Sequence, residues 1–132
     1  MTVFNESAIP TLTLDPITRT QLALFAGASH DHTPIHIDID FVKASGGEDV
    51  FAQGMLVMAN MARVVTRWKS QQQLRELSGR FLDIVRVGDQ LSISAEITER
   101  IQQGKENCLT LDITVVNQTG HKIMTGHALV VE

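Results

Sequence analysis

Residues 54–68 read GMLVMANMARVVTRW, and this stretch decides the fold that the rest of the chain must build. Met, Leu, Val and Ala follow one another so closely that a helix here has almost no polar face in its first turns. A helix that is apolar all round is buried on all sides. In a chain of 132 residues, the simplest way to surround such a helix is a curved sheet wrapped around it.

The second half of the chain supplies the candidate strands of that sheet. Each is an alternating or Val/Ile-rich run bounded by turn residues, a pattern typical of strands with one buried face. They cover residues 78–85, 91–97, 109–115 and 121–131. Together with the helix they predict an antiparallel sheet whose apolar face is covered by one long helix.

This arrangement is that of the hot-dog fold, an α+β fold in which an antiparallel β-sheet wraps around a long central helix. With no linker and no internal repeat, we expect a single domain over residues 1–132. The hot-dog fold commonly pairs two chains into one continuous sheet, which removes an exposed strand edge. We therefore expect a homodimer or a higher oligomer.

The first half of the chain is predicted to be helical with a polar interruption. Residues 11–14 alternate and can form a short strand, and Asp15 followed by proline is typical of a helix start. That helix is expected to end around Gly27. The polar, histidine-rich residues 28–37 are predicted to form a loop, and Asp38 to cap a second short helix.

Composition and charge exclude several classes of function. The net charge is -4 and the Lys and Arg residues are scattered, so we expect no binding to nucleic acid or to an anionic membrane. The longest uncharged apolar run, residues 54–62, is too short to span a bilayer. The first ten residues lack the pattern of a secretory leader. The single Cys108 falls in an alternating segment, which favours a small buried apolar residue and a cytoplasmic protein.

The loop ASHDHTPIH, residues 28–36, carries a carboxylate and an imidazole that could act together. On a helix, Asp31 and His36 would point in different directions because five steps do not return to one face. Pro34 breaks the helix and favours an extended residue before it. In a loop, both side chains can point at one water molecule, an arrangement suited to general acid–base catalysis near neutral pH.

The junction FAQGM, residues 51–55, opens the central helix and is a candidate oxyanion site. The first N–H groups of a helix have no partner within it and carry the positive end of its dipole. Gly54 lets a ligand oxygen approach that backbone closely. An enolate-like thioester oxygen could be stabilised there.

These residues resemble the MaoC-like (R)-specific enoyl-CoA hydratase and acyl dehydratase family. The likeness lies in FAGASHDHTPIH at residues 25–36 and FAQGML at residues 51–56, and it extends to VGD at 87–89 and NQTG at 117–120. The family signature is approximately Ser-Gly-Asp-x-Asn-Pro-x-His, followed by His/Gln-Gly-Met at the central helix. His30 stands in place of the family's glycine, and Thr33 in place of its asparagine.

The resemblance implies hydration of a trans-2-enoyl thioester to a 3-hydroxyacyl thioester, or the reverse dehydration, without a cofactor. Asp31 and His36 would be the catalytic pair, and the Gly54 N–H would bind the thioester oxygen. Ser29, Gln53 and Met55 are expected to contribute to oxyanion or substrate binding. The substrate would be carried on coenzyme A or on acyl carrier protein.

Four alternatives come from the same residues. Asp31 could simply cap a turn, and His36 could be a hydrogen-bonded histidine of the core. His30, His32, His36 and Asp38 could be metal ligands, but side chains around a proline need not converge, and we predict no metal site. A hot-dog thioesterase would not need the histidine. A non-catalytic acyl-CoA-binding subunit would be expected to have lost one member of the pair.

Overall fold

A five-stranded antiparallel sheet forms the framework of the protein, in the order β1-β3-β4-β5-β2. The computed structural model describes residues 8–132. Residues 1–7 of the expected domain, which are most of the segment without the pattern of a secretory leader, lie outside the described residues. The strands are β1 Leu12–Thr13, β2 Leu74–Phe81, β3 Ser92–Gln103, β4 Glu106–Val116 and β5 Lys122–Val131. The helices are α1 Arg19–Ser29, α2 Pro34–Ile37, α3 Ile39–Ala44 and α4 Gly54–Thr66, with a short 3-10 turn at Gln71–Gln73.

Helix α4 packs one face against the inner side of the sheet. Val57, Met61, Val64 and Val65 are buried on this face. The sheet residues of the same core alternate with outward-facing ones along β3, β4 and β5, as the period of two requires. They include Ile93, Ala95, Leu109, Leu111, Ile113, Val115, Met124, Ala128 and Val130.

Two glycines make the close approach of α4 to the sheet possible. Gly79 of β2 lies directly opposite Gly126 of β5. A Cβ on Gly126 would stand 2.6 Å from the Sδ and Cε atoms of Met61, and a Cβ on Gly79 would stand 2.2 Å from the Cε atom of Met124. The methionines therefore fill space that the glycines leave open.

The prediction that α4 is buried on all sides is wrong for the chain by itself. Met55 is 59% exposed, and Ala59 and Arg63 lie exposed on the same side of the helix. The sheet covers one side of α4 only, so one chain leaves part of this apolar helix in contact with solvent.

Several helices and strands begin or end at other residues than the sequence predicts. The strand predicted at residues 78–85 begins at Leu74 and ends at Phe81. Thr18, not Asp15, caps α1, and its side chain accepts a hydrogen bond from the Gln21 N–H. The predicted loop contains the short helix α2, because proline also fits the first position of a helix.

Two other expectations from the sequence are confirmed. The Asp38 carboxylate accepts hydrogen bonds from the N–H groups of Asp40 and Phe41, as a helix cap does. Cys108 is a buried free thiol. None of the helices among the described residues is long and apolar enough to cross a membrane.

Candidate active site

The loop after α1 holds Asp31 in place through its neighbours. His30 ends α1 with φ 62, a left-handed conformation that glycine adopts more easily than other residues. The Asp31 N–H donates to Ser29 Oγ at 3.2 Å. The Thr33 hydroxyl donates to Asp31 Oδ1 at 2.6 Å, and the Thr33 N–H reaches the same oxygen at 3.3 Å. The carboxylate is thus oriented by hydrogen bonds from within its own loop.

These contacts also set the charge state of Asp31. The hydrogen bond from the Thr33 hydroxyl is the main cause that holds the pKa of Asp31 below its ordinary value of 3.8. The Thr33 N–H and the nearby His36 act in the same direction, while partial burial opposes them. Asp31 is therefore a carboxylate at neutral pH.

His36 is buried on α2 with its ring orientation fixed by the backbone. Its Nδ1 atom lies 2.7 Å from the carbonyl oxygen of Phe51, and its ring meets the Phe51 ring edge-on. Because a carbonyl oxygen only accepts, Nδ1 must carry the hydrogen, and the neutral ring keeps its lone pair on Nε2. That Nε2 atom lies 3.6 Å from Asp31 Oδ2, too far for a good direct hydrogen bond.

A cleft of about 430 Å³ opens beside this pair, at the N-terminus of α4. His36 and Gly54 both line it. The other lining residues are mostly apolar: Phe51, Ala52, Val57, Phe81, Leu82, Asp83, Ile84, Val85 and Ile123. Gly54 is the first residue of α4, and a Cβ there would meet the Phe81 ring at 3.2 Å. A side chain at position 54 would therefore crowd the Phe81 ring inside the cleft.

The remaining predicted site residues, Gln53, Met55 and Ser29, do not line the cleft. Gln53 is fully buried; its Nε2 donates to the Leu22 carbonyl oxygen of α1 at 2.9 Å. Its Oε1 has no hydrogen-bond partner among the described residues. Met55 is exposed next to Gly54, and Ser29 supports the Asp31 backbone. His36 thus connects the two parts of the site: its Nε2 faces Asp31, which does not itself line the cleft, and the residue lines the cleft together with Gly54. The Gln53 side chain is directed toward α1.

Sequence reasoning missed three contributors to this region. The Thr33 hydroxyl could have been recognised, since a hydroxyl two residues after an aspartate commonly bonds it in a turn. The Phe51 carbonyl that orients His36 has no signal in the sequence, because any residue has a carbonyl group. Asp83 lines the cleft and lies 2.7 Å from His121 Nε2.

The His30 and His32 rings lie near each other, with centroids 5.9 Å apart and planes tilted by 56°. Within residues 8–132, however, no three His, Cys, Asp or Glu side chains come together as metal ligands do. The Asp31–His36 pair and the first turn of α4 are groups of the kind that acid–base catalysis and oxyanion stabilisation use.

The model of the MaoC like domain family matches residues 7–119 of this chain. The chain belongs to the MaoC-like family. A search of the curated proteins found no match.

Solved structures share the fold of this MaoC-like protein. The R-hydratase PhaJ1 from Pseudomonas aeruginosa is similar with a TM-score of 0.81 and 24% identity, over 94% of this chain and 80% of that one. The ChsH1-ChsH2 complex from Mycobacterium tuberculosis gives 0.80 and 24%, over 100% of both chains. The (R)-hydratase from A. caviae involved in PHA biosynthesis gives 0.77 and 23%, over 98% of both chains. These likenesses confirm the hot-dog fold of the α+β class.

Proposed function

We propose that this MaoC-like protein is an (R)-specific enoyl-CoA hydratase, or 3-hydroxyacyl dehydratase in the reverse direction. The observation that carries the proposal is the 3.6 Å separation of His36 Nε2 and Asp31 Oδ2 beside a cleft that also contains the N-terminus of α4. Two of the structurally similar proteins are described as R-hydratases, which supports the same reaction.

The pair can activate one water molecule. Both Asp31 Oδ2 and the His36 Nε2 lone pair are acceptors, so a water between them would donate one hydrogen to each. The lone pairs of the water oxygen then remain available for attack on the β-carbon of the enoyl thioester. As the C–O bond forms, the pair takes one proton from the water and returns a proton to the α-carbon. Acid–base help of this kind contributes about 10²–10⁴-fold.

The negative charge that develops on the thioester oxygen needs a donor. The Gly54 N–H at the start of α4 is the proposed donor, and it is assisted by the positive end of the helix dipole. The apolar wall formed by Val57, Ile84 and Ile123 would receive the acyl chain. Met55, exposed beside Gly54, would pack on the arm that carries the thioester.

Gln53 would act as a positioning residue. Its buried amide links the start of α4 to the middle of α1, and α1 ends at the loop that carries Asp31. Ser29 would support the same loop from the last turn of α1. Neither side chain needs to touch the substrate for this role.

The proposed function is tested by following the loss of the conjugated double bond of crotonyl-CoA and longer enoyl-CoAs. Asp31→Asn and His36→Gln should each remove most of the activity. The double variant should lose little more, because groups that share one water act as a unit.

The chain offers a matched control on the outer side of the sheet. Asp112 and His127 form another carboxylate–imidazole pair, 2.7 Å apart and exposed on β4 and β5. Asp112→Asn and His127→Gln should leave the hydration rate unchanged. A folded Asp31→Asn or His36→Gln protein with the wild-type rate would overturn the assignment.

The same assay separates the alternatives. A thioesterase would release free thiol from saturated acyl-CoA and would tolerate His36→Gln better than Asp31→Asn. A non-catalytic subunit would show no turnover as the wild type and unchanged acyl-CoA affinity in both variants.

A further inference from the structure

Among the described residues, Asp83 is the only carboxylate that lines the cleft. The floor of the cleft is apolar and includes the buried side chains of Val57 and Ile123. The rim is more open to solvent: Phe81 and Leu82 are about half-exposed, and so is the Asp83 side chain. A molecule that enters this apolar cleft past the rim therefore meets one carboxylate.

Two hydrogen bonds within the chain hold that carboxylate in place. Asp83 Oδ1 accepts the N–H of Ile84 at 2.8 Å, and Oδ2 lies 2.7 Å from His121 Nε2. The Ile84 N–H is the main cause that holds the pKa of Asp83 below its ordinary value of 3.8, and the hydrogen bond with His121 acts in the same direction. His121 is held in turn by Asn117 Oδ1, which accepts its N–H at 3.0 Å. Asp83 is thus an ionised and oriented acceptor at neutral pH.

The Asp83 carboxylate still has acceptor sites to offer a ligand. A carboxylate has about four lone-pair sites, and the Ile84 N–H and the His121 ring occupy one each. A ligand that shuts the other sites off from water is bound well only if it brings a hydrogen-bond donor of its own. The part of the ligand that lies at Asp83 should therefore carry an N–H or O–H group and no negative charge.

An enoyl thioester has such donors on only one side of its sulfur. The acyl chain is hydrocarbon, whereas the arm of coenzyme A or of acyl carrier protein has an amide N–H that an ethylene group separates from the sulfur. The proposed oxyanion donor, Gly54, is close to the rim: a Cβ there would meet the Phe81 ring at 3.2 Å, and Phe81 is two residues before Asp83. One ligand can therefore place its carbonyl at Gly54, its arm at the rim and its acyl chain on the floor.

We propose that Asp83 accepts a hydrogen bond from the amide N–H nearest the thioester sulfur, and that His121 positions the Asp83 carboxylate for this contact. Asp83 is then a substrate-binding residue that recognises the carrier arm rather than the acyl chain. The inference rests on the proposed function, since it takes the cleft to bind an acyl thioester. Coenzyme A and acyl carrier protein share this part of the arm, so both carriers would make the contact.

Two substrates that differ in one group test the contact. The crotonyl thioesters of N-acetylcysteamine and of 2-acetoxyethanethiol have similar shapes, but the second has an ester oxygen in place of the amide N–H. The wild type should have the higher kcat/KM with the amide substrate. Asp83→Ala should reduce this preference about tenfold, because a hydrogen bond to a charged group is lost, and Asp83→Asn should reduce it as well. His121→Ala should reduce it less, since the Ile84 N–H still holds the carboxylate.

Asp112→Asn is the matched control, because it breaks the same kind of carboxylate–imidazole pair on the outer side of the sheet. It should keep the wild-type preference for the amide substrate. An Asp83→Ala protein that keeps this preference, or that is slower with both substrates by the same factor, would overturn the inference.

Binding without turnover separates this contact from the reaction. The saturated butyryl thioesters of the same two thiols, titrated by NMR, give the preference as a ratio of dissociation constants. If the protein hydrates no enoyl thioester but Asp83→Ala still lowers this ratio, only the proposed function fails. If hydration occurs and the ratio is the same in the wild type and in Asp83→Ala, only the contact at Asp83 fails.

Discussion

Replacing Gln53 by methionine should separate the activity of the protein from its stability. The Gln53 side chain is completely buried, its Nε2 donates to the Leu22 carbonyl, and its Oε1 is unpartnered among the described residues. A neutral hydrogen bond contributes about 0.5–1.5 kcal/mol, whereas an unsatisfied buried polar atom costs about 1–3 kcal/mol. Methionine has a similar size and adapts to irregular core space.

Loss of the hydrogen bond destabilises Gln53→Met, whereas removal of the unpartnered Oε1 stabilises it, and the second free-energy term is the larger one. We expect Gln53→Met to range from about 0.5 kcal/mol less stable to about 2.5 kcal/mol more stable than the wild type. Its kcat should nevertheless fall about 10–100-fold, because the link between α1 and the start of α4 is lost and small displacements of reacting groups are costly. KM should change little, since Gln53 does not line the cleft.

The measurements are urea unfolding for stability and enoyl-CoA hydration for kcat and KM. Gln53→His is the matched variant, because the family signature has histidine or glutamine here and both carry an N–H donor. It should keep more of the wild-type kcat than Gln53→Met does. A folded Gln53→Met protein with the wild-type kcat would refute the positioning role.

Three further perturbations give distinct outcomes. Gly54→Pro removes the proposed oxyanion donor at the first position of α4, where proline is compatible with the helix. The value of kcat/KM should drop about 10²–10³-fold, while the circular dichroism spectrum stays unchanged. The control Gly54→Ala keeps the N–H, so an equal loss in that variant would point to crowding instead. Thr33→Val removes the main cause of the lowered Asp31 pKa, so that pKa should rise and the acid limb of kcat/KM should move to higher pH. The stability that ionised Asp31 contributes is present above its unfolded pKa and is lost as pH falls through its folded pKa. Thr33→Val should therefore be less stable than the wild type at pH 7, and unfolding measured from pH 7 down to pH 3 should show that difference shrinking. Asp38→Ala should cost about 1 kcal/mol in urea unfolding through loss of the α3 cap; an unchanged midpoint would contradict this.

The strands were predictable because their burial follows local alternation. Residues 109–115 have one face in the core, and β4 contains all of them. The strand order could not be predicted in this way, since it places β2 next to β5 through contacts far apart in sequence. The prediction for the exposed side of α4 is wrong for a related reason: an apolar residue such as Met55 indicates a helix face that could be buried, but it does not show that its own chain buries it.

Only the parts of the candidate site that consist of side chains in recognisable motifs could be predicted from the sequence. Asp31, His36 and Gly54 belong to recognisable motifs; in the structure Asp31 lies beside His36, and His36 and Gly54 line one cleft. The direction of the Gln53 side chain depends on how α1 crosses the start of α4, which no local pattern encodes. His30 stands where the family signature has glycine, yet histidine as a residue type does not predict the left-handed backbone that it adopts.

Two contacts explain why the two motifs occur as a pair. Segment 51–54 leads into α4, and its Phe51 carbonyl fixes the tautomer of His36 while its Gln53 amide holds α1. The Phe51 N–H in turn donates to the Ile35 carbonyl at 3.2 Å, beside His36. The loop and the helix start therefore hold each other in place through these hydrogen bonds. A change in segment 51–54 should consequently alter the proposed acid–base pair as well as the proposed oxyanion site, although the proposal gives no residue of that segment a proton to transfer.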